Sequence, residues 1–441
     1  MSVAAWIEAA IGGIGRGSIV VTELSEANLR WANNALTTNG QMSSRTATVI
    51  VSVGDEDVVV SGPVDSAEDL AGLVVRAGGS EAGSSSGGVD EEFALPGEPT
   101  SIEVFAEFAR GLGESFADAR DRGALLFGFA EHQLRTTWVA TSDGVRRRAV
   151  VPMGRLELNG KSSDLTNSAW VGQATNDFTD VDIAARTAEV WERLGWGETR
   201  IDLAAGRYEV LLPPGAVADL LIYAYWTMNG RDAREGRNVF SAAGGGTRVG
   251  ERLSQLPVSM WSDPESSELP CAPFAIVTSN EPGMLSVRDN GEPVGRVDWL
   301  ADGVLGNLIE PRTASNDTLV FPTENLLCEA GGSSSLGEMI AATERGLLLT
   351  CLWYIREVDP QTLLLTGLTR DGVYLVEHGR VVGAVNNFRF NESPVGLLGR
   401  ATEASVSELT LCREWNDYFT KTMMPALRIP DFNMSTVSRA T

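Results

Sequence analysis

The chain has 441 residues, too many for one ordinary core and enough for two domains or three. Its net charge is -24, which excludes the basic footprint that nucleic acid or an anionic membrane surface requires. Hydrophobic residues make up 43% and charged residues 21%, the balance of a folded soluble protein, and no apolar run reaches the roughly 18 residues that span a bilayer.

In chain order, Ala4 to Ile11 predicts a helix; with acidic Glu8 and no basic segment it does not read as a signal peptide. Strands are expected at Ser18–Leu24 and Asn28–Thr37, then over the alternating run Arg45–Val53 and Val58–Ser61 beyond a Gly54–Asp57 turn. Asp65 and Ser66 are N-cap residues for a helix carrying Leu70, Leu73, Val74 and Ala77. Gly78–Pro99 is rich in Gly, Ser and acid and reads as a mobile loop. An amphipathic helix over about Ser101–Arg120 aligns Val104, Phe105, Phe108, Leu112 and Phe116. Strands follow at Ala124–Ala130, Arg135–Ala140 and Val145–Met153, the last two joined at the hairpin signal Asp143-Gly144, and a helix over about Val181–Leu194 closes the region. Residues 1–203 are expected to form an α+β domain with a mostly antiparallel sheet.

A second domain, 204–441, opens with the strand Tyr208–Leu212, stopped by Pro213-Pro214, and a helix Ala216–Met228 ended by Asn229-Gly230. Beyond it, apart from a helix over about Leu336–Glu344 with the capping box Ser335-x-x-Glu338, short strands and Gly/Pro/Asp turns dominate. That pattern predicts a closed β-barrel in which every edge is paired. The fold class expected is α+β.

Catalytic signatures are scarce. His132, at a predicted strand end, and His378, in Glu377-His378-Gly379-Arg380, read as exposed turn histidines, and neither lies near a Gly-x-Ser-x-Gly elbow. The four cysteines are far apart without a CxxC, which fits a reducing cytoplasm; Cys328 and Cys351, flanked by apolar residues, read as buried structural thiols. Gly244–Gly246 and Gly331-Gly332 lack the Lys-Ser/Thr of a phosphate loop. Among 35 basic residues only Lys161 and Lys421 are lysine, a skew that reads as coding bias.

Several segments in order resemble one family: Glu26–Asn34; Arg234–Asn238; Arg248–Leu253; Cys271–Phe274 with Glu292–Asp302; Glu338–Thr350; and Gly367–Asn391, which contains Gly367-Leu368-Thr369-Arg370-Asp371-Gly372. Together these resemble the TldD/PmbA (TldE) metallopeptidases and their partner subunits. Zinc-bearing members of that family carry HExxxH on the helix after the proline turn, with a further Cys ligand near the end of the chain. The Glu of that motif is placed to take a proton from metal-bound water. Here the matching positions fall at about Tyr223, Ala224 and Trp226–Met228, including Thr227, and the tail from Met423 has no Cys. The resemblance therefore implies the TldE type: no zinc in this chain, zinc in a TldD-type HExxxH partner, and a heteromeric cytoplasmic protease taking unfolded or short peptides.

Two readings of the signature remain open at this stage. In one, Thr369–Gly372 is a structural turn, with Gly supplying a positive φ. In the other, Arg370, Asp371, Asn387 and Arg389 face an internal chamber, where an arginine meets a peptide carboxylate. The functional alternatives are a peptide-binding homo-oligomer, such as a homodimer, and an enzyme of metal-independent chemistry on the same scaffold.

Overall fold

The computed structural model describes residues 2–79, 87–313 and 316–438. It is an α+β structure, and among the described residues the strands form two sheets. The first is an antiparallel meander ordered β3-β2-β1-β4-β5-β6, from β1 (Gly17–Ala32), β2 (Ala35–Val53), β3 (Glu56–Pro63), β4 (Ala124–Thr141), β5 (Arg146–Ser162) and β6 (Ser168–Thr175). The two strands expected before residue 38 are one hairpin. β1 runs unbroken to Ala32, and Asn33 and Asn34 both take left-handed φ, 52° and 60°, the two-residue turn that matches strand twist. β1 continues through polar Ser25 and Glu26 because both are engaged: the Ser25 hydroxyl accepts from Thr100 N and Glu26 from the Asn28 amide. β4 is likewise continuous, so His132 lies mid-strand and buried rather than at an exposed end.

Side-chain alternation assigns the two faces of this sheet. Ile19, Val21, Ala27, Leu29 and Trp31 of β1 share one face. That face is covered by α1 (Val3–Ile11) and α2 (Ala67–Arg76) at one end, and by α3 (Ala106–Asp121) and α4 (Ile183–Trp196) at the other. Val20, Ile50 and Val139 point the opposite way and pack on Ala272, Phe274, Val277 and Val287. Residues 80–86 of the expected mobile loop lie outside the described residues. Its described remainder is docked, with Phe93 buried and its carbonyl accepting from Trp138 Nε1 at 3.1 Å.

The second sheet is mixed. Its main path is β11-β10-β9-β12-β20-β8-β13-β16-β17-β7. The strands are β7 (Arg200–Ile201), β8 (Gly206–Leu212), β9 (Ser259–Ser262), β10 (Val297–Ala301), β11 (Val304–Leu305), β12 (Asn325–Glu329), β13 (Arg345–Leu349), β14 (Leu352–Asp359), β15 (Leu364–Thr369), β16 (Val373–Glu377), β17 (Arg380–Val385), β18 (Phe388–Glu392), β19 (Glu403–Thr410) and β20 (Lys421–Val437). The expected barrel closure is not realised: the path ends at the two-residue strands β11 and β7. The reason lies in β20. Its 17 residues pair along their length with β12, β8, β18 and β19, so the sheet branches around one spine instead of circling back.

The sheet wraps α5 (Pro214–Trp226). Ten of its 13 residues are buried, and apart from Asp219 its sequence is apolar or aromatic on every face, as a helix enclosed by protein requires. Short helices α6 (Gly230–Arg234), α7 (Leu336–Ala341) and α8 (Pro394–Arg400) complete the unit, and the Ser335–Glu338 capping box forms at α7. No helix among the described residues is long and apolar enough to cross a membrane.

In the β15–β16 turn the left-handed residue is Asp371, with φ 49°, and not Gly372. Glycine is needed at 372 for space: a Cβ there would lie 1.8 Å from the Thr350 hydroxyl oxygen. Gly372→Ala is therefore expected to cost about 1–3 kcal/mol in urea unfolding, the usual range for overpacking; an unchanged midpoint would show that the turn yields freely.

Candidate functional site

The site is built around the last two turns of α5. After Trp226 the helix ends, and Asn238 fixes the turn into α6 by donating to Thr227 O at 3.1 Å and Asn229 O at 3.0 Å. The connector between β19 and β20 lies along the same helix. Its Glu414 N–H donates to the Asp219 carboxylate at 2.9 Å, and its Trp415 Nε1 donates to Asp219 O at 2.8 Å. Trp415 thereby stacks edge-on against Tyr223 (5.7 Å between centroids) and Trp226 (5.2 Å), and Phe419 packs on Tyr225 and Trp226.

Glu414 is fixed in turn, accepting from the backbone N–H groups of Tyr354 and Ile355 at 2.8 and 2.9 Å and pairing with Arg356 at 3.0 Å. Burial, with Glu414 beside it, pushes the Asp219 carboxyl well above the usual carboxylate range. Cys412, fully buried near Asp219, donates its thiol to Phe419 O at 3.1 Å. Sequence reading passed over Cys412 and Asp219; the only available signals were a Cys and an Asp in apolar surroundings.

Two clefts flank Trp226 and share Glu281 and Met284. One, of about 560 Å³, is lined by Tyr223, Thr227, Arg237, Ile355 and Trp415. The other, of about 360 Å³, is lined by Tyr225, Phe274, Phe321, Phe419 and Lys421. Tyr223 and Thr227 thus reach a cleft, whereas Ala224 is buried in the core and reaches neither. A phenol, a methyl and a hydroxyl are unfit to hold zinc. The Thr227 hydroxyl is already donated to Tyr223 O at 2.8 Å. No three His, Cys, Asp or Glu side chains among the described residues converge on one point.

Signature residues line a third cleft, of about 810 Å³, where the β5–β6 loop of the first sheet and the connection from α4 to β7 meet the β15–β16 turn and the end of β17. Arg370, Asp371 and Asn387 line it with Lys161 and Arg200; Arg389 does not, and its guanidinium instead donates to the Thr366 hydroxyl at 3.1 Å. Asp371 is held by the Ser168 hydroxyl and, at 3.2 Å, by Arg413, whereas Arg370 is exposed over the Trp353 ring.

Thiol and imidazole chemistry is unsupported by geometry. All four cysteines are buried, and burial pushes Cys271 to about 11 and Cys328 and Cys351 to about 12, so no thiolate is poised. His132 has its Nδ1 2.6 Å from the Thr100 hydroxyl and its Nε2 2.9 Å from Asn176 O, and burial lowers its pKa. Accepting from the hydroxyl at Nδ1 and donating at Nε2, it is a neutral, satisfied core histidine. His378 is exposed in the β16–β17 turn beside Glu344, as expected.

Fold and site together define an α+β scaffold whose buried central helix ends in aromatic packing between two clefts. The family model for the PmbA/TldA metallopeptidase C-terminal domain matches residues 205–436, over half of the chain, which therefore belongs to this family. Among solved structures it is similar to TldE from Thermococcus kodakarensis, at 15% identity and a TM-score of 0.74, covering 97% of this chain and 98% of that one. It is also similar to candidate modulators of DNA gyrase from two organisms. For that of Thermotoga maritima the identity is 16%, the TM-score 0.70 and the coverage 94% and 95%. For that of Bacteroides thetaiotaomicron they are 13%, 0.73, and 98% of each chain. At these identities the likeness is one of fold. Among curated proteins no sequence match is found.

Proposed function

We propose that this chain is the non-catalytic subunit of a heteromeric TldD/TldE-type metallopeptidase that processes unfolded or short peptides, with zinc held by an HExxxH-bearing partner. One observation carries the reading. At the helix positions that the resemblance matches to the zinc ligands of other members, this chain has Tyr223, Ala224 and Thr227, and the Trp415 ring packs against Tyr223 and Trp226 there. Family membership and the likeness to a TldE fold support it. Of the clefts beside Trp226, the 360 Å³ one is mainly apolar and aromatic and the 560 Å³ one mixes aromatic rings with Asp232, Arg237 and Glu357, a pairing suited to holding peptide side chains while the partner supplies the chemistry.

In the third cleft, Arg370 is a group available to a peptide carboxylate, with Lys161 and Arg200 on the same lining, while Asp371 serves the turn. A metal-independent enzyme finds no support in the buried, protonated thiols or the satisfied His132.

Co-expression of the tagged chain with an HExxxH-bearing family member tests the assignment through zinc analysis. The expected result is a stable co-purified pair with zinc bound only when the partner's histidines are intact. Stoichiometric zinc in this chain purified alone would overturn it.

A further inference from the structure

Lys421 begins β20 at the floor of the 360 Å³ cleft and is only 4% exposed. Its Nζ donates to Pro152 O at 2.7 Å, and among the described residues no carboxylate oxygen lies within ion-pairing distance. An ammonium has three N–H donors, and a buried charge without a counter-charge is costly. The neighbouring cation is compensated: Arg135 pairs with Glu324 on the same wall. Glu281 also lines the cleft but is exposed. The rest of the lining is apolar and aromatic, with Phe274, Phe321, Met284 and Phe419 prominent. The cavity therefore combines one buried cation that no carboxylate pairs directly, the nearby Glu324 being taken by Arg135, with largely apolar walls of a size to take one large side chain.

We infer that this cleft is a receptor for the C-terminal residue of a peptide, its apolar or aromatic side chain filling the cavity and its α-carboxylate pairing with Lys421. That the ligand is a peptide rests on the function proposed above; the carboxylate-plus-apolar chemistry does not. Burial lowers the Lys421 amine to about 8, with Cys271, Glu324 and Arg135 as its charged or titratable neighbours, so it stays largely cationic at neutral pH.

The test uses the full chain alone at pH 7 and fluorescence anisotropy of N-terminally labelled peptides ending in Gly-Gly-Phe, as free acid and as C-terminal amide. The acid is expected to bind at least about tenfold more tightly, the scale of one charge-assisted contact. Lys421→Met is expected to abolish that preference. Equal binding of acid and amide by the unaltered chain, or no binding of either, overturns the inference without recourse to any variant. Competition with 3-phenylpropionate separates sources: weaker competition than the peptide acid supports a peptide ligand, and equal competition overturns that assignment. A reconstituted pair that cleaves nothing while the acid–amide difference persists would refute the proposed function and leave the site standing.

Discussion

Replacing Arg413 with methionine is expected to lower the free energy of unfolding by about 3–5 kcal/mol, the range for removing one partner of a buried charged pair. Arg413 lies between the two sheets, its side chain 12% exposed. Its guanidinium sits over Trp170 of β6 at 5.4 Å and Trp353 of β14 at 5.1 Å, pairs with Asp371 at 3.2 Å and touches the Cys351 sulfur. Methionine restores the stem's apolar packing but none of the charge. Asp371 is then left with the Ser168 hydroxyl and the more distant, half-exposed Arg370. Against a typical total of about 5–15 kcal/mol the loss is large. Urea unfolding measures it directly; a change below about 1 kcal/mol would mean that the stacked rings alone hold the junction. This expectation also divides the signature: Asp371 belongs to the structural junction and Arg370 to the cleft.

Lys421→Met is expected to act in the opposite direction, stabilising the fold by about 2–3 kcal/mol at pH 7. The folded-state value near 8 lies below the ordinary 10.5, and that difference corresponds to about 3 kcal/mol of cost in burying the ammonium. Losing the bond to Pro152 O returns part of the gain. Because the folded value is the lower one, the unfolded chain binds the extra proton between about pH 8 and 10.5. The cost is therefore full below pH 8, and the unaltered chain gains stability relative to the variant as pH rises through that window. Thermal unfolding of both proteins from pH 7 to 10.5 checks the sign. A variant less stable than the parent at pH 7, or a gap that widens with pH, would contradict it. Stability sacrificed at a cleft-lining charge is the pattern of a group kept for binding rather than for folding.

Much of the fold is legible in the sequence wherever one local rule dominates. The apolar run Ala216–Trp226 between prolines and Asn229 marks the central helix, and the Ser335–Glu338 box marks α7. Where tertiary partners override local signals, legibility fails. β1 and β4 read as pairs of strands because Ser25, Glu26 and His132 look like strand ends, yet each has a partner distant in sequence: Thr100 for Ser25, Gln133 for Glu26, and Thr100 and Asn176 for His132. The Asn33-Asn34 turn lacks the glycine that usually announces such a hairpin. Many short strands predict barrel closure, but nothing local indicates that β20 has four neighbours.

The site divides in the same way. The signature leads to Arg370, Asp371 and Asn387, which the fold brings to one cleft. The roles of Trp415, Arg413 and Lys421 depend on a connector folding back along α5, which no periodicity encodes. Lys421 in particular reads as compositional bias until its burial is known.

The central claim is that this chain contributes structure and peptide contacts, and no metal chemistry, to a two-chain peptidase. Cleavage of an unstructured peptide by this chain alone, by an HExxxH-bearing partner alone and by their mixture tests it most directly, with the partner's histidines replaced as the control. The account predicts cleavage by the mixture alone, abolished by the control. Cleavage by this chain in the partner's absence would contradict it.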